Sequence, residues 1–247
     1  MFRRFIRAIK SIFKPAPTPP SKPPQMKPPI KPPYCDLDAN CDTRKPDYAD
    51  SDWTPASYAQ EYLELWGTMK ATHICGSNGC QREGTIAWTL NYINRHKKRY
   101  IQAAEYVSRE LNEKIPWQLI GALHMRESGG DFDKQILNGQ HWNRRTTWVP
   151  RGLGPWNSWE ESCVDAFRIK DRPDVWNIAN TLYFAERFNG MGYRMYHKER
   201  VGMSPYIAAF TQFYKGGLYY SDGKFDSRRV AKGVGVAMIL KGLGFEA

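Results

Sequence analysis

The stretch that decides the fold is residues 117–130, which read Trp-Gln-Leu-Ile-Gly-Ala-Leu-His-Met-Arg-Glu-Ser-Gly-Gly. Apolar residues recur there at spacings of three and four, which predicts a helix, and the closing Gly-Gly pair predicts where that helix ends. Leu119 and Leu123 precede Glu127 by eight and four residues. Glu127 therefore continues the apolar stripe of the helix and not its solvent-exposed face.

The position of Glu127 favours a protonated carboxyl group. Burial and the negative end of the helix dipole both disfavour the anion, so both raise the pKa of this carboxyl. A carboxylic acid that keeps its proton near neutral pH is what a general acid for glycosidic cleavage needs. A glutamate at a helix end is also common as a solvated or ion-paired residue, and the pattern by itself leaves both interpretations open.

Helical periods continue on both sides of this segment, from about Gly84 to the C-terminus. The pattern predicts a compact, mainly α domain over 84–247, with an extended piece at 146–149. A Ser158-x-x-Glu161 capping box predicts one helix start. The other helices are expected at 86–112 (one long or two short), from Ile115-Pro116, from Trp176 to Gly190, from Ser204-Pro205 to Gly216-Gly217, and from Ser227 to Leu240.

The net charge of +11 belongs mostly to the N-terminus. Residues 1–33 hold eight of the 36 Lys+Arg, none of the 25 Asp+Glu and ten of the 17 prolines, which leaves 28 basic and 25 acidic groups, or +3, for the rest. We expect a basic Pro-rich tail, with an amphipathic helix at 1–14 that suits an anionic membrane or a groove on a partner protein, or else a disordered solubilising segment. A main domain this close to charge balance predicts no nucleic-acid partner.

The pattern of the same N-terminus predicts neither a cleavable signal nor a transmembrane helix. Arg7 and Lys10 interrupt the apolar run that a secretory signal needs, and no apolar run in the sequence approaches the roughly 18 residues of a membrane span.

Residues 34–83 form a separate cysteine-containing, acidic zone with a helix that begins near Thr54-Pro55. Disulfides, zinc and free thiols remain alternatives for Cys35, Cys41, Cys75 and Cys80. The spacing of these cysteines fits a zinc site poorly, which favours disulfides. Residues 36–47 imitate a calcium loop, but a cysteine stands where glycine is needed, which favours an acidic turn. This zone can pack on the main domain instead of folding alone. Nothing in the sequence calls for a cofactor.

Residues 120–130 resemble the Glu-Ser segment of goose-type lysozymes and soluble lytic transglycosylases. The chain is more closely similar to phage and bacterial lysozyme-like peptidoglycan hydrolases, over about Tyr100 to Gly244. The order and spacing of several short motifs carry this resemblance. They are Ile115 to Ser128, Leu137-Asn138-Gly139, Trp159 to Ser162, Asn189 to Tyr193, Ser204 to Tyr206 and Asp222 to Phe225. The chain departs from the family at Gln140-His141-Trp142, where an acidic, proline-containing continuation is expected.

The resemblance implies a lysozyme-like fold and an activity, and it makes a phage structural protein a candidate partner of residues 1–14. Glu127 would be the catalytic acid that protonates the glycosidic oxygen between N-acetylmuramic acid and N-acetylglucosamine, and the hydroxyl of Ser128 would help to position the substrate. Bonding of that hydroxyl back to its own helix is the alternative. Hydrolysis and transglycosylation remain open, because the second can proceed without a second carboxylate. The candidates for such a carboxylate are Asp131, Asp133, Asp222 and Asp226.

A glycan cleft also needs flat apolar faces and hydrogen-bonding groups. Most aromatic residues of this chain must serve packing, and Asn-Gly is an ordinary turn. The candidates for substrate contact are His124, Asn138, Trp142, Trp156, Asn189, Tyr193, Tyr214, Tyr219 and Tyr220. A buried structural role is the alternative for His124, and Cys163 reads as a buried apolar thiol.

Three functions follow from these patterns. The first is a phage endolysin or virion-associated lysin that cleaves bacterial peptidoglycan in the periplasm or cell wall. The second is a glycosidase of chitin-like polymers. The third is a non-enzymatic, wall-docking structural protein of a phage particle.

Overall fold

The helix expected at residues 117–130 is α4 (Trp117–Ser128) in the computed structural model, which describes residues 55–221 and 223–246. Six consecutive residues of α4, 119–124, are buried. A helix buried on all sides lies at the centre of its domain. It packs against α3 (Lys97–Leu111) and α9 (Val236–Gly242), and Gly129 ends it with a left-handed φ of 64°.

The described chain is an α-rich globular domain, as the periodicity predicts. Its other helices are α1 (Pro55–Thr68), α2 (Thr85–Arg95), α5 (Trp159–Arg168), α6 (Ile178–Asn189), α7 (Gly192–Val201) and α8 (Pro205–Ala208). Two short antiparallel hairpins complete the described part, β1 (Cys75–Gly76) with β2 (Gly79–Cys80) and β3 (Leu218–Ser221) with β4 (Lys224–Asp226).

Local signals account for several helix boundaries. Ser158 caps α5 by accepting a hydrogen bond from the backbone N–H of Glu161 at 3.0 Å. The Glu161 side chain reaches back to the backbone N–H of Asn157 at 2.8 Å, one residue before the partner of a standard capping box. The apolar pattern at 86–112 is two helices, because the chain breaks at His96 between α2 and α3.

Three expectations on secondary structure were wrong, and one further helix was not expected. The helix from Ser204-Pro205 is a single turn, α8, and the last helix begins at Val236 instead of Ser227. Helix α7 was not expected, since basic residues dilute its apolar pattern. Residues 146–149 form a loop without strand pairing. The segment before α9 bonds to distant residues instead of forming a helix, since the backbone N–H groups of Val230 and Ala231 donate to the Asn78 side chain and the Tyr214 hydroxyl.

Helix α1 belongs to the same packed body as the later helices. It packs against α6, and its Tyr62 hydroxyl donates to the buried Glu186 carboxylate at 2.5 Å. Arg194 binds the same Glu186 oxygen at 2.9 Å and also pairs with Glu61 of α1 at 2.6 Å. Desolvation raises the pKa of Glu186 in spite of these partners. The zone at 55–83 therefore packs on the main domain.

A disulfide joins Cys75 to Cys80 across the first hairpin. The side chain of Asn78 in its turn accepts from the backbone N–H of Val230 at 2.9 Å and donates to the carbonyl of the same residue at 3.0 Å. These bonds fasten the hairpin to the chain just before α9.

Several expectations lie outside the described residues. These are the tail at 1–33, the calcium-like segment, Cys35, Cys41 and Asp222. Among the helices within 55–246, none has the length and apolar character to cross a bilayer.

Candidate active site

Glu127 lies in the last turn of α4, and a second segment packs directly on its backbone. Gly139 has a φ of +73°, and a Cβ at this position would stand 2.5 Å from the carbonyl oxygen of Glu127. Only glycine allows this approach. The Leu-Asn-Gly turn expected from the sequence is therefore held against the end of α4, beside the candidate acid.

The carboxyl group of Glu127 has the raised pKa that its place in the apolar stripe predicts. The residue is partly exposed, but burial of its carboxyl raises the pKa to about 7. Three weaker influences oppose this rise: a hydrogen bond from Tyr206 and the positive charges of Arg126 and Lys170. Desolvation exceeds the three together, so the carboxyl is about half protonated at neutral pH.

Tyr206 is the direct partner of this carboxyl. Its hydroxyl donates to Oε1 of Glu127 at 2.7 Å. The tyrosine is buried in α8, where the hydroxyl of Ser204 caps its backbone N–H at 3.2 Å. Burial and the neighbouring carboxylate raise the pKa of Tyr206 far above its usual value, so it stays a neutral donor. The α8 turn thus fixes one oxygen of the acid.

Two cations complete the surroundings of Glu127. The guanidinium of Arg126 lies 4.8 Å from the ring centre of Tyr206 and donates to the carbonyl of Val234 at 3.4 Å. The ammonium of Lys170 donates to the carbonyl of Phe188 at 3.1 Å, and burial lowers its pKa. Both stabilise a carboxylate once the proton has left.

Ser128 and His124 have structural partners. The Ser128 hydroxyl donates to the carbonyl of His124 at 3.0 Å, which is the backward bond weighed as its alternative. His124 is fully buried, and its Nε2 lies 3.0 Å from the carbonyl of Asp131. Because a carbonyl only accepts, Nε2 carries the hydrogen and Nδ1 accepts from the Tyr100 hydroxyl at 2.9 Å. Burial lowers the pKa of His124 to about 4.

The candidates for a second carboxylate that the structure describes, Asp131, Asp133 and Asp226, have other partners or are exposed. Asp131 accepts from the backbone N–H of Asp133 at 3.0 Å and pairs with Lys134 at 3.1 Å, and these bonds lower its pKa. Asp133 is exposed. Asp226 accepts from the backbone N–H of Arg228 at 2.8 Å. In the described part of the chain, no carboxylate is among the charges that shift the pKa of Glu127.

The aromatic candidates mostly serve packing. Tyr193 and Tyr214 are buried, and the Tyr214 hydroxyl donates to the carbonyl of Gly217 at 2.9 Å. Trp156 is buried and donates to Asp165 at 2.9 Å. Tyr219 packs on Tyr193, with ring centres 5.0 Å apart.

Three further candidates are more exposed. The indole of Trp142 donates to the carbonyl of Phe132 at 3.0 Å. Tyr220 is half exposed beneath the guanidinium of Arg229. Asn189 is exposed at the last position of α6.

Asn138 has its side chain committed to the loop that follows. Its amide nitrogen donates to the carbonyls of Trp148 and Val149, both at 3.3 Å, and its oxygen accepts from Gln135 and from the backbone N–H of Gln140. Asn138 therefore stabilises the turn beside Glu127. Its side chain has little hydrogen-bonding capacity left for a ligand.

The structure adds three residues that the sequence did not identify as site residues: Arg126, Lys170 and Tyr206. Tyr206 lies in one of the motifs that carry the resemblance, and the Ser-Pro-Tyr cap was the available signal. Arg126 adjoins Glu127 in sequence. No sequence pattern predicts Lys170 at this site. It lies 43 residues after Glu127, and the path of α5 and the chain after it places it near the carboxyl group.

Two other features lie apart from this site. The disulfide excludes Cys75 and Cys80 as zinc ligands, and no group of three metal-binding side chains occurs within residues 55–221 and 223–246. A surface concavity of about 870 Å³ between α3 and α4 is lined by Trp117, Trp176 and Phe245, and Glu127 is not part of its lining.

Comparisons of the chain with protein-family models, with curated proteins and with solved structures found no match.

Proposed function

We propose that this chain is a glycosidase of bacterial peptidoglycan and that Glu127 is its general acid. The observation that carries the proposal is the Glu127 carboxyl, with a pKa of about 7 and a fixed hydrogen bond from Tyr206. General acids of glycosidic cleavage work with such a raised pKa. The resemblance of residues 120–130 to Glu-Ser segments of lytic enzymes supplies the substrate class.

The hydrogen bond from Tyr206 distinguishes the two oxygens of the acid. Oε1 accepts that bond, so the acidic proton belongs on Oε2, for which the described residues provide no donor. Transfer of this proton to the glycosidic oxygen breaks the bond from that oxygen to C1 of N-acetylmuramic acid. The sugar gains oxocarbenium character and Glu127 becomes a carboxylate.

The surroundings of Glu127 suit the second half of the reaction. The charges of Arg126 and Lys170 favour the carboxylate that forms, as their opposing effects on its pKa indicate. This carboxylate then removes a proton from the incoming nucleophile. Water as the nucleophile gives a hydrolysed product, and a hydroxyl of the same sugar gives an anhydro product.

The test uses purified peptidoglycan and three forms of the full chain. We expect the wild type and Glu83→Gln, an exposed control, to clear cell-wall suspensions and release soluble muropeptides, and Glu127→Gln to do neither. Mass spectrometry of the products separates hydrolysis from transglycosylation, because the two muropeptides differ by one water. Muropeptide release by Glu127→Gln would remove Glu127 from the mechanism.

Two further measurements separate the alternative functions. Release of soluble sugars from chitin and not from peptidoglycan would favour a chitin-type glycosidase. Wall binding without new reducing or anhydro ends would indicate a docking protein. Within the proposal, the protein acts on the cell wall as a phage endolysin or as a lysin carried on the virion.

A further inference from the structure

The loop at residues 138–152, called the rim loop below, exposes large apolar side chains at its tip. Trp148 is 63% exposed and Val149 is 73% exposed. Large apolar side chains that lie next to each other at an exposed and fixed place can mark a surface that contacts another molecule. The aromatic and cation–π contacts of the described residues include no partner for Trp148.

Hydrogen bonds hold this tip in one shape. The side-chain oxygen of Gln140 accepts from the backbone N–H groups of Thr147 and Trp148 at 2.9 and 2.8 Å, and its nitrogen donates to the Thr147 hydroxyl at 2.8 Å. Thr146 closes the loop by accepting from the N–H of Gly152 at 2.9 Å. Gln140, where the sequence departs from the family pattern, therefore fixes the shape of the loop tip.

The rim loop is joined to the catalytic end of α4. Gly139 packs on the carbonyl of Glu127, and Asn138 donates to the carbonyls of Trp148 and Val149. One continuous run of contacts thus links the candidate acid to the exposed tip. The exposed tip is therefore anchored to the helix end that carries the candidate acid.

The rim loop is also positively charged. Arg144, Arg145 and Arg151 are all exposed. Arg145 donates to the carbonyl of Gly152 at 3.0 Å. No carboxylate of the described residues forms an ion pair with any of the three, although ten other pairs occur there. Guanidinium groups left unpaired in this way can bind the carboxylates of a ligand.

We propose that the rim loop is a substrate subsite that recognises the peptide-bearing sugar of the glycan. Trp148 stacks on an apolar sugar face, and Arg144 and Arg151 bind carboxylates of the attached peptide. The inference rests on the proposed function, and it adds a preference for glycan that carries acidic peptides over bare glycan. An anionic membrane is the competing partner, and the anchoring of the loop to the end of α4 favours the substrate.

The test measures binding in the Glu127→Gln background, so that no ligand is consumed. The probes are intact peptidoglycan sacculi, sacculi whose peptide carboxylates have been converted to amides with a carbodiimide and ammonia, and vesicles of phosphatidylglycerol and phosphatidylethanolamine. The variants are Trp148→Ala and the double charge reversal Arg144→Glu with Arg151→Glu. Matched controls are Trp88→Ala, whose indole is 57% exposed on α2, and Arg200→Glu, exposed on α7.

We expect Trp148→Ala to weaken binding to both forms of sacculi by about tenfold, as loss of an aromatic anchor does. The double reversal should weaken binding to intact sacculi by at least as much and should leave binding to the amidated sacculi nearly unchanged. The controls should bind like the parent. Equal effects of the reversal on both sacculi, or loss of vesicle binding alone, would overturn the inference.

Failure of this inference is separable from failure of the proposed function. If Glu127-dependent cleavage occurs but the rim variants bind both sacculi like the parent, only the subsite is wrong. If the rim variants behave as expected but the wild type releases no muropeptides, the rim is a wall-binding surface and the glycosidase proposal is wrong.

Discussion

The raised pKa of Glu127 makes a quantitative prediction about stability. The value rises from 4.5 to about 7 on folding, so the folded protein holds a proton that the unfolded chain releases between these two pH values. Stability from this group is fully present below pH 4.5 and is lost as the pH rises through 7. Between pH 5 and pH 8 the loss amounts to about 2.5 kcal/mol.

Glu127→Gln removes this titration and keeps the shape of the side chain. The stability of the variant minus that of the wild type should therefore grow by about 2.5 kcal/mol from pH 5 to pH 8. Urea unfolding followed by tryptophan fluorescence measures both proteins, and taking the difference cancels the other titrating groups. The exposed Glu83→Gln should show no such growth. A difference for Glu127→Gln that stays constant within about 0.5 kcal/mol would refute a raised pKa for this carboxyl.

Two further predictions concern neighbouring side chains. Tyr206→Phe removes the donor that favours the Glu127 anion, so the alkaline limb of the activity profile should move up by about one to two pH units. The matched control Tyr214→Phe should leave that limb in place, and an unmoved limb in both would contradict the assigned role. His124 should titrate near pH 4 in an NMR titration of its ring protons, and stability of about 2.5 kcal/mol should be lost as the pH falls from 6.5 to 4. Titration near pH 6.5 would show that burial does not disfavour the imidazolium.

The parts of the structure that follow from the sequence are those with a local cause. The apolar stripe through Leu119 and Leu123 gives both the central helix and the burial of Glu127, and the raised pKa follows from that burial. The cap at Ser158 and the glycine at 129 mark helix ends for equally local reasons. No contact with another segment is needed for these conclusions.

The rest depends on segments far apart in the chain. Tyr206 reaches Glu127 across 79 residues, and Tyr62 reaches Glu186 across 124. Periodicity within one helix carries no information about such pairs. The aromatic candidates are hard to distinguish for a related reason: the sequence near a turn is the same whether a tyrosine ring faces a ligand or packs on the core, as Tyr193 does.

The pH dependence of peptidoglycan cleavage is the most direct test of Glu127 as the general acid. If Glu127 with a pKa of about 7 is the general acid, kcat/KM should be level on the acid side of pH 7 and fall about tenfold for each pH unit above it. Glu127→Gln should show no cleavage at any pH. A rate that holds level to pH 9, or cleavage by Glu127→Gln with the wild-type profile, would contradict the account.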